Sequence, residues 1–266
     1  MSSLPLVLPP SPFPQSLAAS LGLLVLSEAN SFYTGSAAFK SLASFSFFLA
    51  GAQNGPFKTL QSFSYTNPTT RYPYFMILGL GFCVAGDLLL IPAKEHYYAH
   101  RKSAKVTPAK SEGDSLSFKA GTFFFALGHI SYIIAFASNP NRTPFRLLPF
   151  GLAAAFGLGV SRWLGIFDSS ANSNPKLVIP ADMKPLVKAY VSIITTMVGV
   201  ATATDAGWQR TLGAWMFMIS DLFVAVDVFG RKKGVKAAGK GRPGWVFRSV
   251  GWGFYFTANL ILAGTV

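Results

Sequence analysis

Two aspartates interrupt otherwise apolar runs. Asp87 lies in "FCVAGDLLLIP" and Asp221 in "MISDLFVAVDVF". Two carboxyls close together in an apolar setting do not ionise alike, so such a pair can divide acid and base roles between them. His129, in "ALGHISYIIAF", is a third titratable group in a hydrophobic run, and Lys40 a fourth. Uncharged polar groups stand in similar runs: Tyr132, Tyr190, Ser220, Tyr255 and Asn259. Lys188, Asp227 and Arg248 lie nearer the run ends and read as side chains reaching toward water. Three uses fit the set: acid–base catalysis, proton carriage, or a buried ion pair of an aspartate with Lys40 that fixes helix packing.

Other catalytic signatures are missing. The sequence holds no "HExxH", no "GxSxG" and no P-loop, so zincin, α/β-hydrolase and nucleotide-hydrolase chemistry lack support. His96 and His100 stand four apart in "KEHYYAHRK", a spacing that can seat a metal on one helix face. The third histidine lies deep in another run, so the pair reads as solvated and neither metal nor cofactor is expected. Cys83 is the one cysteine, which excludes an internal disulfide, and it reads as a small buried hydrophobe.

The elements that must position these groups are membrane helices. Half the chain is hydrophobic (51%), only 12% is charged, and mean hydropathy is +0.40. Soluble domains carry about 25% charged residues. Spanning a bilayer takes about 20 mostly apolar residues. Eight runs qualify as candidates: 15–29, 36–52, 73–92, 118–138, 145–165, 184–203, 208–229 and 245–266, the first two the weakest. Prolines fall at or near their ends, with Pro149 one turn inside the fifth as the exception. Gly81 with Ala85 and Ala153 with Gly157 have the four-residue spacing that lets membrane helices approach closely. The expected fold is all-α: a polytopic membrane bundle of about eight helices, with residues 1–14 a flexible tail and 15–266 a single domain.

Loop charge sets orientation. Fourteen Lys and Arg residues flank one side of the eight runs, from Lys94 to Lys110, Arg162 to Lys184 and Arg231 to Arg242; five flank the other. The basic side is expected to be cytosolic. This placement accounts for the net charge of +13 without nucleic acid. A buried ionisable group costs at least ~2.5–3.5 kcal/mol on insertion scales. Asp87 lies about 7–8 Å from the cytosolic end of its run and Asp221 about 12 Å, at 1.5 Å per residue. Lys40 and Tyr190 share that half, with His129, Tyr255 and Asn259 deeper. One polar cavity open to the cytosolic leaflet is the expected arrangement.

Five segments, in order, resemble the successive motifs of the YhhN-like lysoplasmalogenase family: "AGDLLL" (85–90), "ALGHISYIIAF" (126–136), "PLVKAY" (185–190), "MISDLFVAVDVF" (218–229) and "YFTANLILAG" (255–264). The resemblance covers roughly 36–264. It departs at Ser41, where the family often has proline, at Asp227, where it often has asparagine, and at Asn259, where it usually has glutamine. The resemblance implies hydrolysis of the vinyl ether of choline or ethanolamine lysoplasmalogens to a fatty aldehyde and a glycerophospho-headgroup, with a lysophospholipid and the bilayer as partners. A vinyl ether breaks through an oxocarbenium ion, which paired carboxyls suit, as in glycosidases. Asp87 and Asp221 are then acid and base in an unassigned order. His129 and Tyr132 position water or a carboxyl, Tyr190, Ser220, Tyr255 and Asn259 line the pocket, and Lys40 meets the lipid phosphate. A eukaryotic endomembrane such as the endoplasmic reticulum is the expected location. A transporter or lipid-binding protein using the same Asp/His cluster is the alternative.

Overall fold

Long apolar runs bounded by proline, glycine and charge become helices because a backbone in lipid must satisfy its own N–H and C=O groups. The structure, a computed structural model, describes residues 6–53, 64–98, 116–138, 141, 143–167, 177–205, 207–230 and 244–266. Most of the basic loop residues, and His100, lie outside these. Among the described residues there are eight long helices: α1 (Phe13–Ala29), α2 (Tyr33–Gln53), α3 (Pro68–Leu89), α4 (Leu116–Ser138), α5 (Leu147–Trp163), α6 (Lys184–Thr204), α7 (Gln209–Phe229) and α8 (Trp245–Ala263). A single helical turn, Lys94–Tyr97, follows α3. Four helices, α3, α4, α6 and α7, are by themselves long and apolar enough to cross a membrane, and α5 is a shorter apolar one.

The helix limits follow local chemistry. Asn67 accepts the Thr69 backbone N–H at 3.0 Å and Pro68 opens α3. Pro149 is the third residue of α5, where a backbone N–H has no partner within the helix, so it breaks nothing. Helix α3 ends at Leu89 rather than at Pro92, and this leaves Asp87 nearer its helix end than the sequence reading placed it. At the end of α5, Gly165 adopts φ +81° and lets the Ile166 N–H reach back to the Ser161 carbonyl at 3.0 Å. That turn aims Ile166 into an apolar cluster with Phe118, Leu177, Met183 and Phe229. The Val178 N–H bonds the Phe229 carbonyl at 2.7 Å, which fastens this cluster across the end of α7. At the N-terminal side, Val7 exchanges hydrogen bonds with the Gln209 side chain at 2.7 and 3.0 Å.

Packing runs in a ring: α2 on α3, α3 on α4, α4 on α6, α6 on α7, α7 on α8, and α8 back on α2. Helix α1 lies against α2 and α8, and α5 against α6. The exterior is apolar, with Leu42, Leu49, Phe123, Leu152, Phe156 and Val250 all exposed, while Ser44, Asp87, His129, Ser220 and Asn259 are buried. That inversion is what a lipid surround selects, and the protein is a polytopic helical membrane protein.

Small residues bring α3 and α4 into close contact. A Cβ on Gly86 would meet the Phe125 ring at 2.7 Å, and one on Gly121 would meet the Gly86 carbonyl at 3.3 Å. Ala153 and Gly157 serve α5 on α6 as expected, with a Gly157 Cβ falling 2.7 Å from Thr195. Gly81 faces only Phe48 at 3.4 Å, so that spacing marks no tight interface. Gly86→Val should destabilise the bundle by about 1–3 kcal/mol through overpacking. Thermal unfolding in detergent checks this; Gly81→Ala should leave the midpoint nearly unchanged.

Candidate active site

The ring encloses a cavity of about 230 Å³, far more than the roughly 10–15 Å³ that one water needs on the same measure. Its wall is mostly apolar, and its charged groups come from five helices: Glu28, Lys40, Asp87, Asp221, Asp227 and Arg248. The cavity lies toward the end of the bundle where the basic loops attach. The cluster around Ile166, Met183, Phe118 and Phe229 contributes part of its wall there.

Asp87 is nearly enclosed, its side chain 4% exposed. Its Oδ2 accepts from Ser44 Oγ at 2.7 Å and from the Tyr255 hydroxyl at 2.6 Å. Lys40 Nζ stands 3.5 Å from Oδ1. Helices α2, α3 and α8 thus meet at one carboxylate, two hydroxyls and one ammonium, a donor set suited to an ionised acceptor. Phe47, Phe125 and Phe217 surround the Tyr255 ring at centroid distances of 5.2–6.0 Å and hold it.

Asp221 is in a different setting. One fifth of its side chain is open. The Tyr190 hydroxyl donates to its Oδ2 at 2.7 Å, and His129 Nε2 lies 2.9 Å from that hydroxyl and 3.4 Å from Oδ2. Tyr190 has one proton, and it goes to Asp221. With that proton committed, an Nε2–H on His129 would donate to the Tyr190 oxygen. His129 Nδ1 is buried and has no partner among the described residues. His129 is wholly buried, packed against Phe217 at 4.6 Å between centroids, and it does not line the cavity. It supports Tyr190 and Asp221 from behind.

Lys40, Tyr190, Ser220 and Tyr255 line the cavity with the two aspartates. Tyr132 and Asn259 do not. They are fully buried, and the Tyr132 hydroxyl donates to Asn259 Oδ1 at 2.9 Å while Asn259 Nδ2 bonds the Tyr255 carbonyl at 3.1 Å. They therefore brace Tyr255 instead of facing a ligand. Ser220 donates to the Phe217 carbonyl at 2.6 Å. Lys188 is half-buried and does not line the cavity, and His96 is exposed.

Two residues went unnoticed in the sequence. Ser44 looked like one small residue among many in α2. Glu28 stands at the end of the weakest run, yet its side chain is 2% exposed and accepts from Arg248 Nη2 at 3.1 Å. Arg248 Nη1 also lies 3.5 Å from Asp227. Arg248 and Asp227 do not simply reach for water; they form a three-residue cluster with Glu28 in the cavity wall. Nearby, Lys119 pairs with Asp182 at 2.5 Å, and this exposed hydrogen bond holds the Asp182 carboxyl below the usual carboxylate range.

A family model matches residues 35–266, carrying every cavity-lining helix except α1. The chain belongs to the YhhN family. No curated protein and no solved structure matches it. The YhhN match therefore begins just before Lys40 and takes in Asp87, His129, Tyr190, Asp221 and Tyr255, while Glu28 stands outside it.

The Lys40–Asp87 geometry generates a stability test. Asp87→Leu strands the Lys40 ammonium in the bundle and should cost about 3–5 kcal/mol. Combining it with Lys40→Met should recover most of that loss. Thermal midpoints of the single and double variants in detergent measure the coupling.

Proposed function

We propose that this YhhN-family protein is a lysoplasmalogenase-like hydrolase that cleaves the vinyl ether of a lysophospholipid within the membrane. One observation carries the reading: two carboxyls from different helices share a mostly apolar cavity but keep unlike surroundings. Asp87 is wrapped by Ser44, Tyr255 and Lys40 and serves as the group that starts ionised. Asp221, more open and backed by Tyr190 and His129, serves as the first proton donor.

Asp221 acts as the acid. It gives its proton to the vinyl carbon remote from oxygen, and the C=C electron pair forms the new C–H bond. The resulting oxocarbenium ion lies against the Asp87 carboxylate, which stabilises positive charge where it develops. Water adds to the cation and passes a proton to Asp87. The hemiacetal then collapses: the glycerol oxygen leaves with the proton from Asp87, and the hydroxyl proton returns to Asp221. One water is consumed, and aldehyde and glycerophospho-headgroup are released. Tyr190 and His129 hold Asp221 in place, and Ser44, Lys40 and Tyr255 do so for Asp87.

The alkenyl chain fits between α5, α6 and α7, where Gly157, Val160, Val191, Ile194 and Leu222 line the cavity. Val160 also borders a shallow groove on the outer face of α5 with Phe156, Gly159 and Trp163, a route by which a lipid tail enters from the side. Transport is the weaker reading. The helices bearing the two aspartates run unbroken through the depth of those residues, unlike the interrupted helices that many transporters place at a substrate site.

Purified protein incubated with choline or ethanolamine lysoplasmalogen should release free aldehyde. Asp221→Asn and Asp87→Asn should each lower the rate on the order of 10²–10⁴-fold while the protein stays folded. Full activity in either folded variant removes that aspartate from the mechanism. Tyr190→Phe should retain more activity than Asp221→Asn, since it loosens the acid without deleting it.

A further inference from the structure

The cavity is too small for a whole membrane lipid. A space of ~150 Å³ between apolar side chains accommodates a benzene ring. The roughly 230 Å³ enclosed here therefore has room for about nine carbon-sized groups. A hydrocarbon chain long enough to span one leaflet, about 15 Å deep, exceeds that even with the headgroup left outside. The part of the chain that the cavity does not hold must leave it through a wall.

Helix α5 marks that wall. It packs chiefly on α6. Gly157, Val160 and Ser161 face the cavity, while Phe156, Gly159, Val160 and Trp163 border the shallow groove on the outer side of the same helix. Each set has the three- and four-residue spacing of one helix face. The two sets share Val160, so cavity and groove meet at one side chain. Phe156 is braced by the Trp215 ring of α7 at 5.4 Å between centroids. Trp215 is itself fixed by its indole N–H, which donates to Thr202 Oγ1 of α6 at 3.1 Å. From Val160 the exposed apolar stripe continues through Phe156 to Leu152. A chain that follows it runs toward the middle of α5, the direction a lipid tail takes.

We propose that this groove binds the distal part of the ligand's hydrocarbon chain, which leaves the cavity past Val160 and lies along Gly159 and Phe156 against the bilayer. The proposal deepens the hydrolase reading and rests on it for the presence of a chain in the cavity. Its consequence is tolerance of chain length. The protein measures only the first several carbons, and further length extends into lipid, where it meets no wall. Gly159 is the residue that keeps the groove open. A Cβ there would meet nothing within 4 Å, so a larger side chain would fill the groove without disturbing the bundle. Gly151 is equally open on the same helix but takes no part in the groove.

Binding can be measured without turnover. The probes are two glycerophosphoethanolamine ethers with saturated 1-O-alkyl chains of eight and sixteen carbons, which carry no vinyl ether. They are titrated by calorimetry into purified full-length protein in detergent, at concentrations expressed as mole fractions of the micelle. The native protein should bind both within about threefold, since moving hydrocarbon from a micelle to a lipid-facing groove gains little. Gly159→Phe should weaken the sixteen-carbon ether about tenfold, the order of an overpacking penalty, and leave the eight-carbon ether unchanged. Gly151→Phe should bind both as the native protein does. The proposal is overturned if Gly159→Phe binds the long ether like the native protein, if it weakens both ethers equally, or if the native protein excludes the long one. Should Gly159→Phe not fold, Gly159→Leu decides by the same comparison. Aldehyde release from the vinyl-ether analogue separates this from the hydrolase reading. A chain-selective loss in Gly159→Phe without aldehyde from the native protein sinks only the hydrolase, and aldehyde release without that loss sinks only the groove.

Discussion

A carboxylate inside a membrane bundle must bring its own donors, because lipid supplies none. Asp87 meets that requirement with Ser44 and Lys40 from α2 and Tyr255 from α8. The positions of three helices follow from this one group. Tyr255 is then held by Asn259, Tyr132 and three phenylalanines, so the demand for hydrogen bonds at one oxygen propagates into a layer of buried polar and aromatic side chains. Removing any donor would leave the buried Asp87 carboxyl short of a partner.

The two aspartates differ because their helices give them different neighbours. Asp87 sits close to the end of α3 and is wrapped on nearly all sides. Asp221 is held through a single tyrosine, which a histidine supports in turn. Such an asymmetry suits the proposed reaction through an oxocarbenium ion, in which one carboxyl starts as acid and the other as carboxylate. The same cavity is lined by apolar residues of α5, α6 and α7 and by the charged side chains of Glu28 and Arg248.

Much of this arrangement was legible in the sequence. Apolar runs ending at prolines and charges placed all eight long helices to within a few residues, since length and hydropathy are direct consequences of a lipid surround. The prominence of Asp87, His129 and Asp221 came from the same contrast. What the sequence concealed depends on partners far apart in the chain. Ser44 is unremarkable until α3 places Asp87 beside it. Glu28 and Arg248 are 220 residues apart, and neither run hints at the other. Tyr132 and Asn259 share the depth of the site but lie one layer behind it, because depth along a helix does not say which face a side chain occupies.

The proposed hydrolysis turns on one step, in which a carboxyl in this cavity delivers a proton to carbon. Cleavage of an ethanolamine lysoplasmalogen in deuterated water, with the aldehyde trapped at once and weighed, tests that step directly. One deuterium on the carbon next to the aldehyde is the predicted result. Aldehyde without that deuterium, or no aldehyde from folded protein, would contradict it.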